Sequence, residues 1–148
     1  MAETPPPGQS TVSPYLVAEG AADLVAFIKS VFNAEEQMMM PGPDGIIMHG
    51  EMGIGESVIM LADACEHAKP TRSMLHVYVP DVDAAYQRAL DAGATSDREP
   101  TDQFYGDRTA GVKDKFGNSW YMATHVEDIS PEELERRSLE MTQQQQGG

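Results

Sequence analysis

His49 and Glu51 stand two residues apart, the spacing that puts both side chains on one face of a β-strand. An imidazole beside a carboxylate is the pairing that general acid–base catalysis uses. A polar strand face turned to solvent shows the same alternation, and it is the simpler account. His125, followed by Glu127 and Asp128, offers the same functional groups just ahead of a helix start, where carboxylates serve as caps. Cys65-Glu66-His67 has no partner cysteine in the chain and reads as a loop. His76 shares a strand face with Met74 and Tyr78 at period two, which sets thioether, imidazole and phenol side by side. A lone histidine so placed is most simply a hydrogen-bonded cleft or core residue. In Asp102-Gln103-Phe104-Tyr105-Gly106-Asp107-Arg108, the aromatic pair ahead of Gly106 makes either a lid at a cleft mouth or a packed loop in which Arg108 pairs with Asp107 or Asp114.

Strands are needed to position these groups, and the hydrophobic spacing supplies them twice. Residues 11–17 read as a strand, and Leu24, Val25, Phe27, Ile28, Val31 and Phe32 fall on one face of a helix over residues 21–32. Asn33 stops it, and three apolar runs at 36–40, 46–52 and 57–61 follow, separated by Pro41-Gly42-Pro43-Asp44-Gly45 and Gly53-Ile54-Gly55-Glu56, as in a meander with tight turns. The order then repeats. A strand is predicted at 74–79, a helix at 82–92 with Asp81 as its N-cap and Gly93 as its stop, and strands near 95–98, 108–113 and 119–124. Ser130-Pro131-Glu132-Glu133 is a capping box with proline at the first helical position.

The expected organisation is α+β, two paired βαβββ modules with an added C-terminal helix. Residues 11–62 form the first module, 63–72 a polar linker broken by Pro70, 73–125 the second module and 129–141 the helix; residues 1–10 and 142–148 are expected to be disordered. Each four-stranded sheet needs a partner for its second face, and pairing the modules makes a cleft lined by both.

The totals narrow the function. The 148 residues, 41% of them hydrophobic, suit one domain with its own core. With 10 Lys+Arg against 24 Asp+Glu the formal charge is -14. Such a field repels phosphate backbones and anionic lipid, so neither nucleic acid nor membrane is expected as a partner. Ordinary solubility accounts for the acidity, which would also draw in cationic small molecules. No apolar stretch approaches the ~20 residues of a membrane span, and the N-terminus lacks a basic and apolar leader pattern. A cytoplasmic protein is expected.

At Met74-Leu75-His76-Val77-Tyr78-Val79-Pro80-Asp81-Val82-Asp83, and again at Val112-Lys113-Asp114-Lys115-Phe116-Gly117-Asn118-Ser119-Trp120, the chain resembles the vicinal-oxygen-chelate superfamily of glyoxalases, bleomycin-resistance proteins and dioxygenases. Met40-Pro41-Gly42-Pro43-Asp44-Gly45, Ser57-Val58-Ile59-Met60-Leu61-Ala62-Asp63 and Ala123-Thr124-His125-Val126-Glu127-Asp128 look like its PhnB-like branch. The resemblance spans roughly residues 12–140 and implies the paired-module fold. It does not by itself imply one activity.

Metal-dependent members of that superfamily take one ligand from the first and one from the fourth strand of each module. The resemblance carries those positions onto Ser13 or Pro14, Met60, His76 and Tyr121, of which His76 alone is a strong ligand type. Neither a metal nor another cofactor is expected from such a set. The resemblance and the side chains together point to a cleft of Met60, Met74, His76, Tyr78, Phe104, Tyr105 and Tyr121 that binds a planar, aromatic or cationic small molecule by sequestration. The alternative is a glyoxalase-like lyase, isomerase or transferase with His76 as general base and Tyr121 as hydrogen-bond donor. The resemblance also implies a homodimer, since modules in that superfamily usually pair across chains, and residues 63–72 offer a hinge for the exchange.

Overall fold

Backbone geometry in a computed structural model is described for residues 2–146. Met1, Gly147 and Gly148, assigned above to the disordered ends, lie outside the described residues. The first module runs β1 (Tyr15–Ala18), α1 (Ala21–Phe32), β2 (Glu35–Pro41), β3 (Ile47–Ile54) and β4 (Ser57–Asp63). The second runs β5 (Met74–Tyr78), α2 (Val82–Asp91), β6 (Thr95–Asp102), β7 (Asp107–Lys113) and β8 (Ser119–His125), and α3 (Pro131–Gln146) follows. Two separate sheets result, ordered β1-β4-β3-β2 and β5-β8-β7-β6. The strand before each helix lies parallel to the last strand of its module, and the other pairs are antiparallel.

Alternation decides which face of each sheet is dry. Leu16, Ile59, Leu61 and Met52 point to one side of the first sheet and Leu75, Trp120, Met122 and Val112 to one side of the second, and all are buried in a core shared by the two modules. Helices α1 and α2 lie between the sheets and touch each other. Trp120 reaches across to Phe27 and Phe32 of α1, with ring centroids 6.0 and 5.1 Å away. The Arg88 guanidinium of α2 donates twice to the Val31 carbonyl, at 3.1 and 2.8 Å, which satisfies an end of α1 that has no helical partner. The modules are thus joined through their helical sides, and each sheet turns its other face outward.

One device recurs at the two helix starts. The Asp63 carboxylate, at the end of β4, accepts from the amides of Gly20 and Ala21 at 2.9 Å each and from Ile47 at 2.7 Å. At the end of β8, the Thr124 hydroxyl accepts from the Val82 amide and donates to the Val79 carbonyl, both at 2.8 Å. Asp81 caps α2 as predicted, accepting from the Ala84 amide, and Ser130 accepts from the Glu133 amide at the start of α3.

Several boundaries differ from the sequence reading. β1 begins at Tyr15 rather than at residue 11, because Pro14 has no amide to give; its carbonyl accepts from the Met60 amide where the parallel ladder starts. β6 runs on to Asp102 despite Pro100, which is tolerated because β6 is an edge strand with register breaks on both sides of Arg98. Helix α3 extends to Gln146 instead of stopping near Met141, since glutamine is a good helix former and no breaker comes before Gly147. Residues 2–14 form no helix or strand, yet Gln9 docks on Glu51 at 2.7 Å. The linker is anchored rather than loose, as Thr71 pairs with both backbone groups of Val17 along the outer edge of β1.

Candidate functional site

The outward faces of the two sheets carry every side chain singled out for chemistry on a strand. On the second sheet, β5 places Met74, His76 and Tyr78 outward, and the first and last are 73% and 64% exposed. Tyr121 of β8 is directly opposite His76 in the ladder. The His76 and Tyr78 rings are 5.0 Å apart. The imidazole has no hydrogen-bond partner among the described residues.

Both phenols use their O–H as a hydrogen-bond donor within the protein. Tyr78 donates to Asp107 at 2.9 Å and Tyr121 to Asp97 at 3.0 Å. These bonds, and the carboxylate charges behind them, raise both phenol pKa values above their ordinary range. The outward side of each oxygen then offers lone pairs only. Tyr121 reaches Asp97 because its ring lies flat over Gly111, where an added Cβ would come within 2.9 Å of a ring carbon.

Asp107 is buried and sits at the centre of a network. His125 presents Nδ1 to Asp107 at 2.8 Å and Nε2 to Asp128 at 2.7 Å. Two ionised carboxylates can only accept, so this arrangement holds the imidazolium. Hydrogen bonds from His125 and Tyr78 outweigh burial and lower the Asp107 pKa, while the two carboxylates raise that of His125. The His125 contribution to stability is therefore complete below the unfolded-state histidine pKa and fades as pH rises through the higher folded value. That of Asp107 is present above the unfolded-state carboxylate pKa and fades as pH falls through its depressed folded value. We expect the melting-temperature difference between wild type and His125→Gln to be largest near about pH 5.5, between the two reference pKa values, and to shrink towards alkaline pH. A difference independent of pH would contradict the pairing.

Phe104 and Tyr105 meet edge to face with centroids 5.3 Å apart, on a loop whose Phe104 carbonyl accepts from Arg137 of α3 at 3.2 Å. Arg108 does not pair with Asp107 or Asp114, as the packed-loop reading had it. It turns to Asp83 at 2.8 Å and Asp102 at 3.1 Å, because consecutive residues of β7 point to opposite faces of the sheet and Asp107 lies on the other one.

Met60 lies elsewhere, on the outward face of the first sheet, opposite Tyr15 on β1 and Glu51 on β3. The register also corrects one position. The residue of β1 that faces Met60 as His76 faces Tyr121 is Tyr15, not Ser13 or Pro14. The spacing from Met60 to Tyr121, carried back from His76, would have found it in the sequence. Tyr15 meets His49 Nδ1 at 3.0 Å, and His49 Nε2 meets Glu51 at 2.9 Å. His49 and Glu51, read above as a solvated pair, are mostly covered. A cavity of about 400 Å³ lies between the start of β4 and β5, bounded by Pro14, Ile54, Val58, His76 and Tyr78.

The four positions that hold a metal in related folds are thus Tyr15, Met60, His76 and Tyr121. Two phenols already committed to other residues, one thioether and one imidazole do not make a site for a hard or borderline divalent ion. His125, Asp107 and Asp128 satisfy one another. Among the described residues, no helix is long and apolar enough to cross a membrane.

A sequence profile of the Glyoxalase/Bleomycin resistance protein/Dioxygenase superfamily matches residues 12–122. The uncharacterised protein Rv0887c of Mycobacterium tuberculosis is 35% identical over 138 residues, covering 86% of this chain and 81% of its own. Among solved structures, TioX from Micromonospora sp. ML1 superposes with a TM-score of 0.66 at 23% identity, over 79% of this chain and 99% of that one. The PhnB protein from Bacillus cereus, described as a putative 3-demethylubiquinone-9 3-methyltransferase, gives 0.63 at 17% identity over 78% and 99%. The fosfomycin resistance protein FosX from Mesorhizobium loti gives 0.57 at 14% over 78% and 91%. At these identities the structural likenesses speak for the fold.

Proposed function

Because the chain belongs to the Glyoxalase/Bleomycin resistance protein/Dioxygenase superfamily, we propose that it binds and sequesters a planar aromatic small molecule on the outward face of its second sheet, with no resident metal. The observation that carries this reading is the cluster of His76, Tyr78 and Tyr121, with both phenol protons committed to carboxylates. Aromatic rings supply the stacking surface, and oxygens that only accept hydrogen bonds favour a ligand bearing N–H groups or positive charge. The net charge of -14 draws such a ligand in. Phe104 and Tyr105, tied to α3, form the rim.

A homodimer belongs to the same proposal. Each outward face leaves large apolar side chains uncovered, among them Met38, Met40, Met74 and Tyr78. Laying the first-module face of one protomer over the second-module face of its partner covers both and closes the cleft. Met60 would then join the other cleft residues across the interface. A cytoplasmic location accords with this reading. Turnover centred on His76 has less support, since no carboxylate orients its ring.

The test is a thermal-shift screen followed by calorimetry, comparing planar cationic aromatics such as proflavine with glutathione adducts of 2-oxoaldehydes. We expect the cationic aromatics to bind, and Tyr78→Ala and Tyr121→Ala each to weaken binding about tenfold, the equivalent of one stacking contact of roughly 1 kcal/mol with some lost area. Selective stabilisation by the thiol adducts, with turnover abolished in His76→Ala, would reverse the reading. Light scattering on the same samples reports whether two chains associate.

A further inference from the structure

The first module holds a second constellation that the binding reading does not use. Tyr15 Oη lies 3.0 Å from His49 Nδ1, and His49 Nε2 lies 2.9 Å from Glu51 Oε2. The other Glu51 oxygen accepts from Gln9 at 2.7 Å, which holds the carboxylate from its second side. Glu51 and His49 side chains are only 11% and 24% exposed, while Tyr15 is 45% exposed. The carboxylate accepts from Nε2–H, and in the neutral imidazole this leaves Nδ1 to accept from the phenol. A nucleophile touching a base that is itself oriented by a buried acid is the arrangement of an activated hydroxyl.

Module two shows that the fold does not require this arrangement. Its register places His76, Thr109, Gly111 and Tyr121 where module one has Tyr15, His49, Glu51 and Met60. The same sheet is built there with no imidazole–carboxylate pair at those positions. The surroundings suit an organic substrate: Met60 stands across the ladder from Tyr15, and Met38 and Met40 are the partners of Glu51 and His49.

We propose that Tyr15, His49 and Glu51 form an acyl-accepting site whose substrates are activated carboxylic esters with an apolar acyl group. Tyr15 Oη attacks the ester carbonyl carbon as its proton passes to His49 Nδ1, and Glu51 stabilises the imidazolium. Collapse of the tetrahedral adduct breaks the bond to the leaving group, an aryl oxide more acidic as its phenol than tyrosine, which takes the proton from His49. The tyrosyl ester that remains is cleaved by water to the carboxylic acid, and the phenol is restored.

The experiment treats the full chain with 4-nitrophenyl acetate, follows release of 4-nitrophenol, and maps acetyl groups by peptide mass. The expected result is an acetyl group on Tyr15 of the wild type, lost in Tyr15→Phe. Acylation should fall about 100-fold in His49→Gln, the usual worth of a general base, and less in Glu51→Gln. Site mapping on the wild type keeps the test valid if a variant folds poorly. Acetylation confined to lysines and the N-terminal amine, at equal rates in wild type and Tyr15→Phe, would overturn the proposal.

Discussion

Replacing Asp114 with alanine is expected to cost about 3–5 kcal/mol of folding stability, a large share of what a domain of this size holds. Asp114 is buried at the turn between β7 and β8. One of its oxygens accepts from the amides of Phe116 and Asn118 at 2.9 Å each, and the other from the Asn118 side chain at 3.0 Å and the Trp120 indole at 2.8 Å. Alanine leaves four donors without a partner, the indole among them beyond the reach of water. Asn118 in turn accepts from the Ser73 amide at 2.9 Å, so the loss spreads to the start of β5. Asp114→Asn restores one oxygen but turns an amide N–H₂ towards two donors, and should fall between. Urea unfolding followed by fluorescence of the single tryptophan gives both numbers. A loss under about 1 kcal/mol for alanine would mean that the turn relaxes to hydrate its donors.

This turn also shows what the sequence could reveal. The Asp114-Lys115-Phe116-Gly117-Asn118 motif was recognisable because a buried carboxylate serving several backbone and side-chain donors tolerates little change of type or spacing. The helices were legible for a similar reason: every residue predicted on the inner face of α1 is buried, since only one face of a helix meets the sheet. The strand ends were harder, because Pro14 and Pro100 act through single missing amides that hydrophobic spacing does not register. Asp63 and Thr124 cap helices from more than 40 residues away along the chain, and nothing local marks either residue as a cap.

The candidate site was legible by residue type and less so by partner. His76, Tyr78 and Tyr121 do come together, because period two is a local rule and the repeated module order places β5 beside β8. Their acids, Asp97 and Asp107, lie on other strands, and Asp97 is within reach only because Gly111 lets the Tyr121 ring lie down. His49 and Glu51 read as ordinary surface alternation, since the covering that makes them a relay comes from Gln9 and Tyr15, which are distant in sequence. Charge pairing was the least predictable, as the turn of Arg108 from Asp107 to Asp83 and Asp102 shows.

Gly106→Ala should have the other large effect, and a local one. Gly106 adopts φ of +100°, a left-handed conformation that costs an L-residue about 1–2 kcal/mol. A Cβ there would also lie 2.3 Å from the Glu127 carbonyl oxygen, so one of two backbone segments must move. The same Gly106 carbonyl accepts from the amides of Val126 at 2.9 Å and Glu127 at 3.1 Å, and separating the segments gives up these bonds at about 1 kcal/mol each. Together the terms reach about 3 kcal/mol or more, but they act on a clamp rather than on the core. On one side of it are Phe104 and Tyr105; on the other is α3, attached through Arg137, which donates to the Phe104 carbonyl at 3.2 Å and to Glu127 at 3.0 Å. The expected result is therefore that amide exchange in residues 103–106 and in α3 quickens by about two orders of magnitude, the equivalent of roughly 3 kcal/mol. Exchange in α1 and in the strands around Trp120 should stay slow. Trypsin should cut sooner after Arg136 or Arg137, and any aromatic ligand held at Tyr78 should bind more weakly, because the rim and the Asp107–His125 pair lie at the two ends of the same clamp. If exchange instead rose evenly through the whole chain, α3 and the aromatic loop would be part of the global folding unit, and the rim could not move independently of the cleft it borders.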